Sequence, residues 1–198
     1  QSLSSFADDV AATKRAIDQA EGPVVLVGHS YGGAVITEAG NHEKVSSLVY
    51  VAAFGPDKGE SINALGKGAP PPVWASALQV DSAGFGWLPE ATVLEHFAQD
   101  LPLAERKLIA SKQGPIAVKN FDGKISKAAW ADKPSFYVLA AKDHMIDPDA
   151  QTAMSKRMKA QVTTLQASHV AMLSQPDKVL SVIVSAAKGA PPALTASR

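Results

Sequence analysis

The sequence predicts an α/β fold, a doubly wound and mostly parallel sheet with an inserted, mainly helical cap. Three observations predict it. Apolar runs of strand length at Val24–Val27, Val45–Ala53 and Ser135–Ala141 read as strands covered on both faces. Helical segments alternate with them, the order that builds a parallel sheet. Between residues 55 and 134 the alternation stops, Gly and Pro become frequent, and all three tryptophans fall there before the pattern resumes.

Each element has a local cause. Residues Ser4–Ala20 form an amphipathic helix, with Ser5 and Asp8 spaced as a capping box and Phe6, Val10 and Ile17 on one face. Gly22 and Pro23 stop it, and Val24–Val27 follows as a buried strand. Gly28-His29-Ser30-Tyr31-Gly32 makes a sharp turn into a helix over Ala34–Ala39, and Val45–Ala53 is the next strand. The stretch 55–134 is too long for one structureless loop. Its segments Ala91–Gln99 and Leu103–Ser111 suit helices, so it is expected to be a cap over the end of the sheet. The core then continues with strand Ser135–Ala141, helix Pro148–Lys159, strand Val162–Gln166 and helix Pro176–Lys188, which Gly189 ends. The expected organisation is therefore core 1–54, cap 55–134, core 135–189 and an unpatterned tail 190–198.

Composition removes several function classes. At 198 residues the chain can bury a real core as one domain. Lys+Arg and Asp+Glu are equal at 19 each, and no basic run tracks phosphates, so no nucleic-acid partner is expected. No apolar run reaches the roughly 18 residues that span a bilayer, so no membrane partner is expected and the chain reads as soluble. Absence of cysteine excludes disulfides, thiolate metal sites and a Cys nucleophile. It leaves the compartment open, with cytoplasm favoured over export.

The chemistry lies in three loops. Gly28-His29-Ser30-Tyr31-Gly32 matches G-x-S-x-G between an apolar strand and a helix, the setting in which a strained turn holds a serine hydroxyl above a sheet. Small flanking residues at Gly28 and Gly32 are expected for steric reasons. A serine hydroxyl needs a base, and the base needs an orienting acid. Of five histidines, His169 lies in the loop after the last strand, whereas His29 is placed to shape the turn and His42 and His96 to pack or face water. For the acid, Asp143 directly follows a strand, while Asp147 precedes Pro148 and is suited to cap a helix. Asp143 is therefore the expected acid and His144 a loop residue. The backbone N–H of Tyr31, at a helix N-terminus, is the expected oxyanion donor.

The run Gly22–Ala34, the strand Leu48–Phe54 continuing into Pro56-Asp57, the Asp143 to Pro148 loop and Ser168-His169 together resemble the bacterial α/β-hydrolase family related to plant methyl esterases and hydroxynitrile lyases. The resemblance covers most of the chain outside the cap. It implies a cofactor-free, metal-free Ser-His-Asp enzyme, here Ser30, His169 and Asp143, acting on a small-molecule ester through an acyl-enzyme. A hydroxynitrile-lyase activity is the competing chemistry, but the lyases place a lysine beside the catalytic histidine, where this chain has Val170. A non-catalytic ligand-binding member of the same fold is the third reading. Trp74, Phe85, Trp87 and Phe97 are the candidate aromatic lining of an apolar pocket.

Only one helix precedes the elbow strand, which would leave one strand edge unpaired. The expectation is a companion N-terminal segment of roughly 30–70 residues that completes the sheet and carries a second oxyanion donor to Ser30.

Overall fold

The first helix begins where its cap predicts. In the computed structural model, which describes residues 3–189, Ser5 is extended and its hydroxyl accepts the Asp8 N–H at 3.0 Å while donating to the Asp8 carboxylate at 2.6 Å. Helix α1 (Phe6–Asp18) then buries Val10 and Ile17, together with Asp9. Strand β1 (Val24–Ser30) runs three residues further than the apolar run, through Gly28 and His29 to the nucleophile candidate itself. Helix α2 (Gly32–Ala39) and strand β2 (Val45–Ala53) complete the first core segment.

The insert contains α3 (Ile62–Leu65), β3 (Gln79–Val80), β4 (Phe85–Trp87), α4 (Glu90–Thr92), α5 (Leu103–Lys112) and β5 (Ile116–Ala117). Two features here were not legible in sequence. Strands β3, β4 and β5 pair antiparallel into a small sheet of their own, so the insert is not only helical. The expected helix Ala91–Gln99 is α4 followed by a π-helical turn over Val93–Phe97, closed by Ala98 N–H donating to Val93 C=O at 3.1 Å.

The core then resumes with β6 (Ser135–Ala140), α6 (Pro148–Arg157), β7 (Gln161–Leu165), α7 (Ala171–Ser174) and α8 (Pro176–Lys188). Gly189, with φ +64°, supplies the left-handed C-cap of α8. The predicted tail from 190 onward lies outside the described residues.

The main sheet has the order β1-β2-β6-β7 with every neighbouring pair parallel. Side chains alternate between its faces, and both faces are covered. Leu48 and Tyr50 of β2 with Tyr137 and Leu139 of β6 pack towards α1, α2 and α6. Val49 and Val51 with Phe136 and Val138 pack towards α8. The two middle strands thus read as nearly continuous apolar runs because all of their residues except the exposed Ser46 are buried between the layers. The same reading fails for β1. It lies at the edge, no strand pairs with its outer side among the described residues, and Val27 is 43% exposed. No described helix is long and apolar enough to cross a membrane.

Candidate active site

Parallel strands place all their carboxyl ends on one side, so loops far apart in sequence open onto one crevice. The elbow follows β1, the acid loop follows β6, and the histidine loop follows β7.

Ser30 has φ +53°, a left-handed backbone that a non-glycine residue holds only when its surroundings enforce it. The enforcement is visible. A Cβ on Gly28 would stand 2.6 Å from the Gly32 carbonyl oxygen, and a Cβ on Gly33 would strike the Phe54 carbonyl oxygen. A Cβ on Gly32 would meet nothing within 4 Å. The steric demand expected at Gly32 therefore falls on Gly33, because it is Gly33 that lets α2 lie against the end of β2. Phe54 N–H donates to Ser30 C=O at 3.1 Å, tying the two strand ends. Tyr31, at the start of α2, buries its ring, and its hydroxyl donates to Asp9 at 2.9 Å. Asp9 is fully buried and also accepts the Leu3 N–H at 3.0 Å. Burial, with the Asp9 carboxylate beside it, pushes the Tyr31 hydroxyl well above the usual phenol range.

Asp143 and His169 meet. Both are buried, and His169 Nδ1 donates to Asp143 Oδ2 at 2.8 Å. Three further donors saturate the carboxylate: the N–H groups of Met145 (2.7 Å) and Ile146 (3.1 Å) on Oδ1, and Gln151 Nε2 (2.8 Å) on Oδ2. Gln151 is itself fully buried, accepts Ala140 N–H through its Oε1 and donates also to Ile146 C=O. Asp147 takes the other role, capping α6 by accepting Asp149 N–H at 2.8 Å ahead of Pro148. His169 Nε2 is buried without a hydrogen-bond partner. Ser30 is thus not hydrogen-bonded to it, a looseness common before substrate binds.

His29 does more than shape the turn. Its Nε2–H donates to the His169 backbone carbonyl at 2.8 Å, fastening the elbow to the histidine loop. Burial, with His169 alongside, pushes the His29 imidazole down to about 3, so it stays neutral and keeps that donor. The ring of Phe97 stands edge-on to both His169 (5.0 Å between centroids) and His29 (6.3 Å). His96 and His144, expected to be incidental, face each other across the cleft with Nδ1 atoms 3.4 Å apart.

Ser30, Tyr31 and Asp143 line a cleft of about 1810 Å³. Trp74, Trp87 and Phe97 line it as expected, joined by Phe54 and Phe121, whereas Phe85 does not, its strand pairing with β5 instead. The cleft also runs down the open flank of β1 along Leu26 and Val27, so its volume belongs only in part to the site. Among the described residues no group of three or more His, Cys, Asp or Glu is arranged to hold a metal ion.

Sequence reasoning missed Gln151 and Asp9 as parts of this site, and it read Phe97 as pocket lining without its contact with His169 and His29. Asp9 shares the α1 face of Phe6, Val10 and Ile17, and a carboxylate on an apolar stripe was the available signal. Gln151 similarly shares a face with Met154, Ser155 and Met158. Nothing local marks the contact of Phe97 with His169.

Comparison with known proteins agrees with this fold. A 94-residue alignment, 37% identical, relates the chain to a carbendazim hydrolyzing esterase of Nocardioides sp. (strain SG-4G), covering 46% of this chain and 36% of that protein. Among solved structures, a pyrethroid hydrolase from Sphingobium faniae JZ-2 superposes with a TM-score of 0.77 at 22% identity, over 94% of this chain and 79% of that one. A methylesterase from Arabidopsis does so with a TM-score of 0.73 at 21% identity, over 93% and 78%. The alpha/beta hydrolase family model matches residues 2–182. A parallel sheet with a left-handed serine at the end of one strand and an Asp–His pair beyond two others, matched by that model along nearly its whole length, places this chain in the alpha/beta hydrolase family.

Proposed function

We propose that the chain is a serine hydrolase that cleaves a carboxylic ester through an acyl-enzyme, with Ser30 as nucleophile, His169 as base and Asp143 as its orienting acid. The observation that carries the reading is the buried Asp143–His169 hydrogen bond at 2.8 Å, which leaves His169 Nε2 unpartnered at the strand ends that also hold Ser30. Asp143, accepting at Nδ1, fixes the tautomer in which Nε2 has a lone pair. Nε2 takes the Ser30 proton as the hydroxyl attacks the ester carbonyl, and the imidazolium is stabilised by Asp143. The tetrahedral oxyanion accepts from the Tyr31 N–H at the start of α2. Collapse passes the proton to the leaving alcohol, and water, deprotonated by the same nitrogen, releases the acid and restores Ser30.

The substrate is read as a bulky, uncharged ester. The aromatic lining supports this, as does the state of Arg157, a cation on the cleft wall whose guanidinium is bonded at 3.0 Å to Glu60 rather than held for a substrate carboxylate. The names of the relatives, esterase and pyrethroid hydrolase, point the same way. The lyase reading is disfavoured because Val170, the neighbour of His169, is packed with Ala98 and Leu101 in an apolar cluster that supplies no cation. The open flank of β1 is read as the seat of a companion segment of roughly 30–70 residues bearing the second oxyanion donor.

A fluorophosphonate probe tests the chemistry. It labels Ser30 in the parent and leaves Ser30→Ala unlabelled, and the parent hydrolyses at least one of a panel of p-nitrophenyl, methyl and lactone esters. A folded parent that neither labels nor hydrolyses any of them overturns the proposal.

A further inference from the structure

Phe97, the last residue of the π-helical turn, and the three residues that follow it grip the histidine and acid loops between them. Phe97 sets its ring edge-on to His169 and His29. Ala98 is fully buried with Leu101 and Val170, the residue after His169. Gln99 Nε2 donates to Lys142 C=O at 2.6 Å, directly before Asp143. Asp100 Oδ2 accepts Ser168 N–H at 2.8 Å, directly before His169. The segment is itself anchored from α5, where Arg106 donates to the carbonyls of Leu101 (2.5 Å) and Leu94 (3.3 Å).

The wide turn explains how one short stretch reaches so many partners. A bond from residue i+5 inserts one residue relative to an α-helical turn, which re-aims the chain that leaves it. The acid and histidine loops leave the paired strands β6 and β7, whose register, continued by the Ala141 N–H bond to Leu165 C=O at 2.8 Å and the Lys142 N–H bond to Ala167 C=O at 3.0 Å, fixes the loop roots. The insert adds a constraint beyond those roots, at the residues next to Asp143 and His169.

Resting on the esterase reading above, we infer that residues 97–100 are a brace through which the insert sets the Asp143–His169 geometry, with Asp100 and Gln99 as positioning residues. His96 and Phe97 also line the cleft, so a ligand bound there presses on the same brace. Burial works against charge on Asp100, yet the hydrogen bonds from Ser168 outweigh it and hold the carboxyl below its usual range, which keeps the acceptor ionised at neutral pH.

The test reads activation of Ser30 rather than substrate fit. Asp100→Ala is expected to slow fluorophosphonate labelling about tenfold or more, since small displacements of a catalytic group are costly. Asp100→Asn, which keeps an oxygen acceptor for Ser168 N–H, is expected to stay within about threefold of the parent. Gln99→Leu is expected to slow labelling as well, and serves if Asp100→Ala does not fold. A second readout needs no activity: the low-field proton resonance of His169 Nδ1–H should broaden or vanish in Asp100→Ala and persist in Asp100→Asn. A brace that was merely structural would lower Tm and leave both readouts at parental values, and that result overturns the inference. So does Asp100→Asn behaving like Asp100→Ala. Failure of the parent to label sinks the esterase reading instead, and the proton resonance then decides the brace alone.

Discussion

At the residue scale, the division of labour between two nearby aspartates is set by what each carboxylate meets. Asp143 accepts four hydrogen bonds in a buried site, one of them from His169, whereas Asp147 is exposed and accepts a helix N–H. Asp143→Asn should therefore lower kcat on the order of 10⁴-fold by favouring the wrong imidazole tautomer. Asp147→Asn, which preserves a good capping residue, should leave kcat within about twofold and Tm nearly unchanged. Ester hydrolysis by the two purified variants checks this, and a larger loss in Asp147→Asn would move the acid. His29 gives a pH signature of a different kind. Its folded pKa of about 3 lies below the unfolded 6.5, so between these values the unfolded chain binds more protons. Its contribution to stability is fully present above 6.5 and is lost as pH falls towards 3. Thermal melts across that window should show Tm falling with pH in the parent and a flatter profile in His29→Gln. Equal slopes would mean that other groups govern the acid limb.

At the scale of elements, the elbow depends on how closely α2 can approach β2. Gly33 sits where a Cβ would strike the Phe54 carbonyl and stand 2.8 Å from the Ala53 Cβ, both rigid parts of the strand end. Gly33→Ala should displace α2 and with it the Tyr31 N–H, losing both stability and Ser30 labelling. Gly32→Ala meets open space and has an ordinary helical position, so it should fold as the parent does. Comparing the Tm of the two variants distinguishes them, and equal loss would show that the turn, not the helix contact, demands glycine. The α6 cap illustrates the opposite case, an element whose start is set entirely by adjacent residues: Asp147 accepts from its own first turn and Pro148 occupies the first helical position.

At the scale of the whole molecule, β2 and β6 lie between two hydrophobic layers while β1, among the described residues, has a neighbouring strand on one side only. Hydrogen exchange should accordingly find the β2 and β6 amides opening only with global unfolding and the outward amides of β1 exchanging much faster. Protection of β1 equal to that of β2 would show that its outer edge is covered in solution. Much of this architecture was legible in sequence. The bounds of β2 and α8 were read from apolar periodicity and flanking residues, and the Ser30, Asp143 and His169 loops from motif, strand order and the rule that parallel strands share one active end. Those signals are local, carried by residues that decide their own conformation. The exposed Val27, the small antiparallel sheet of the insert, the demand for glycine at 33 rather than 32, the burial of Asp9 and Gln151 and the grip of residues 97–100 on two distant loops were decided only by the tertiary structure. Each is a contact between residues far apart in the chain, and hydrophobic periodicity reports which face of an element is buried without reporting what that face will touch.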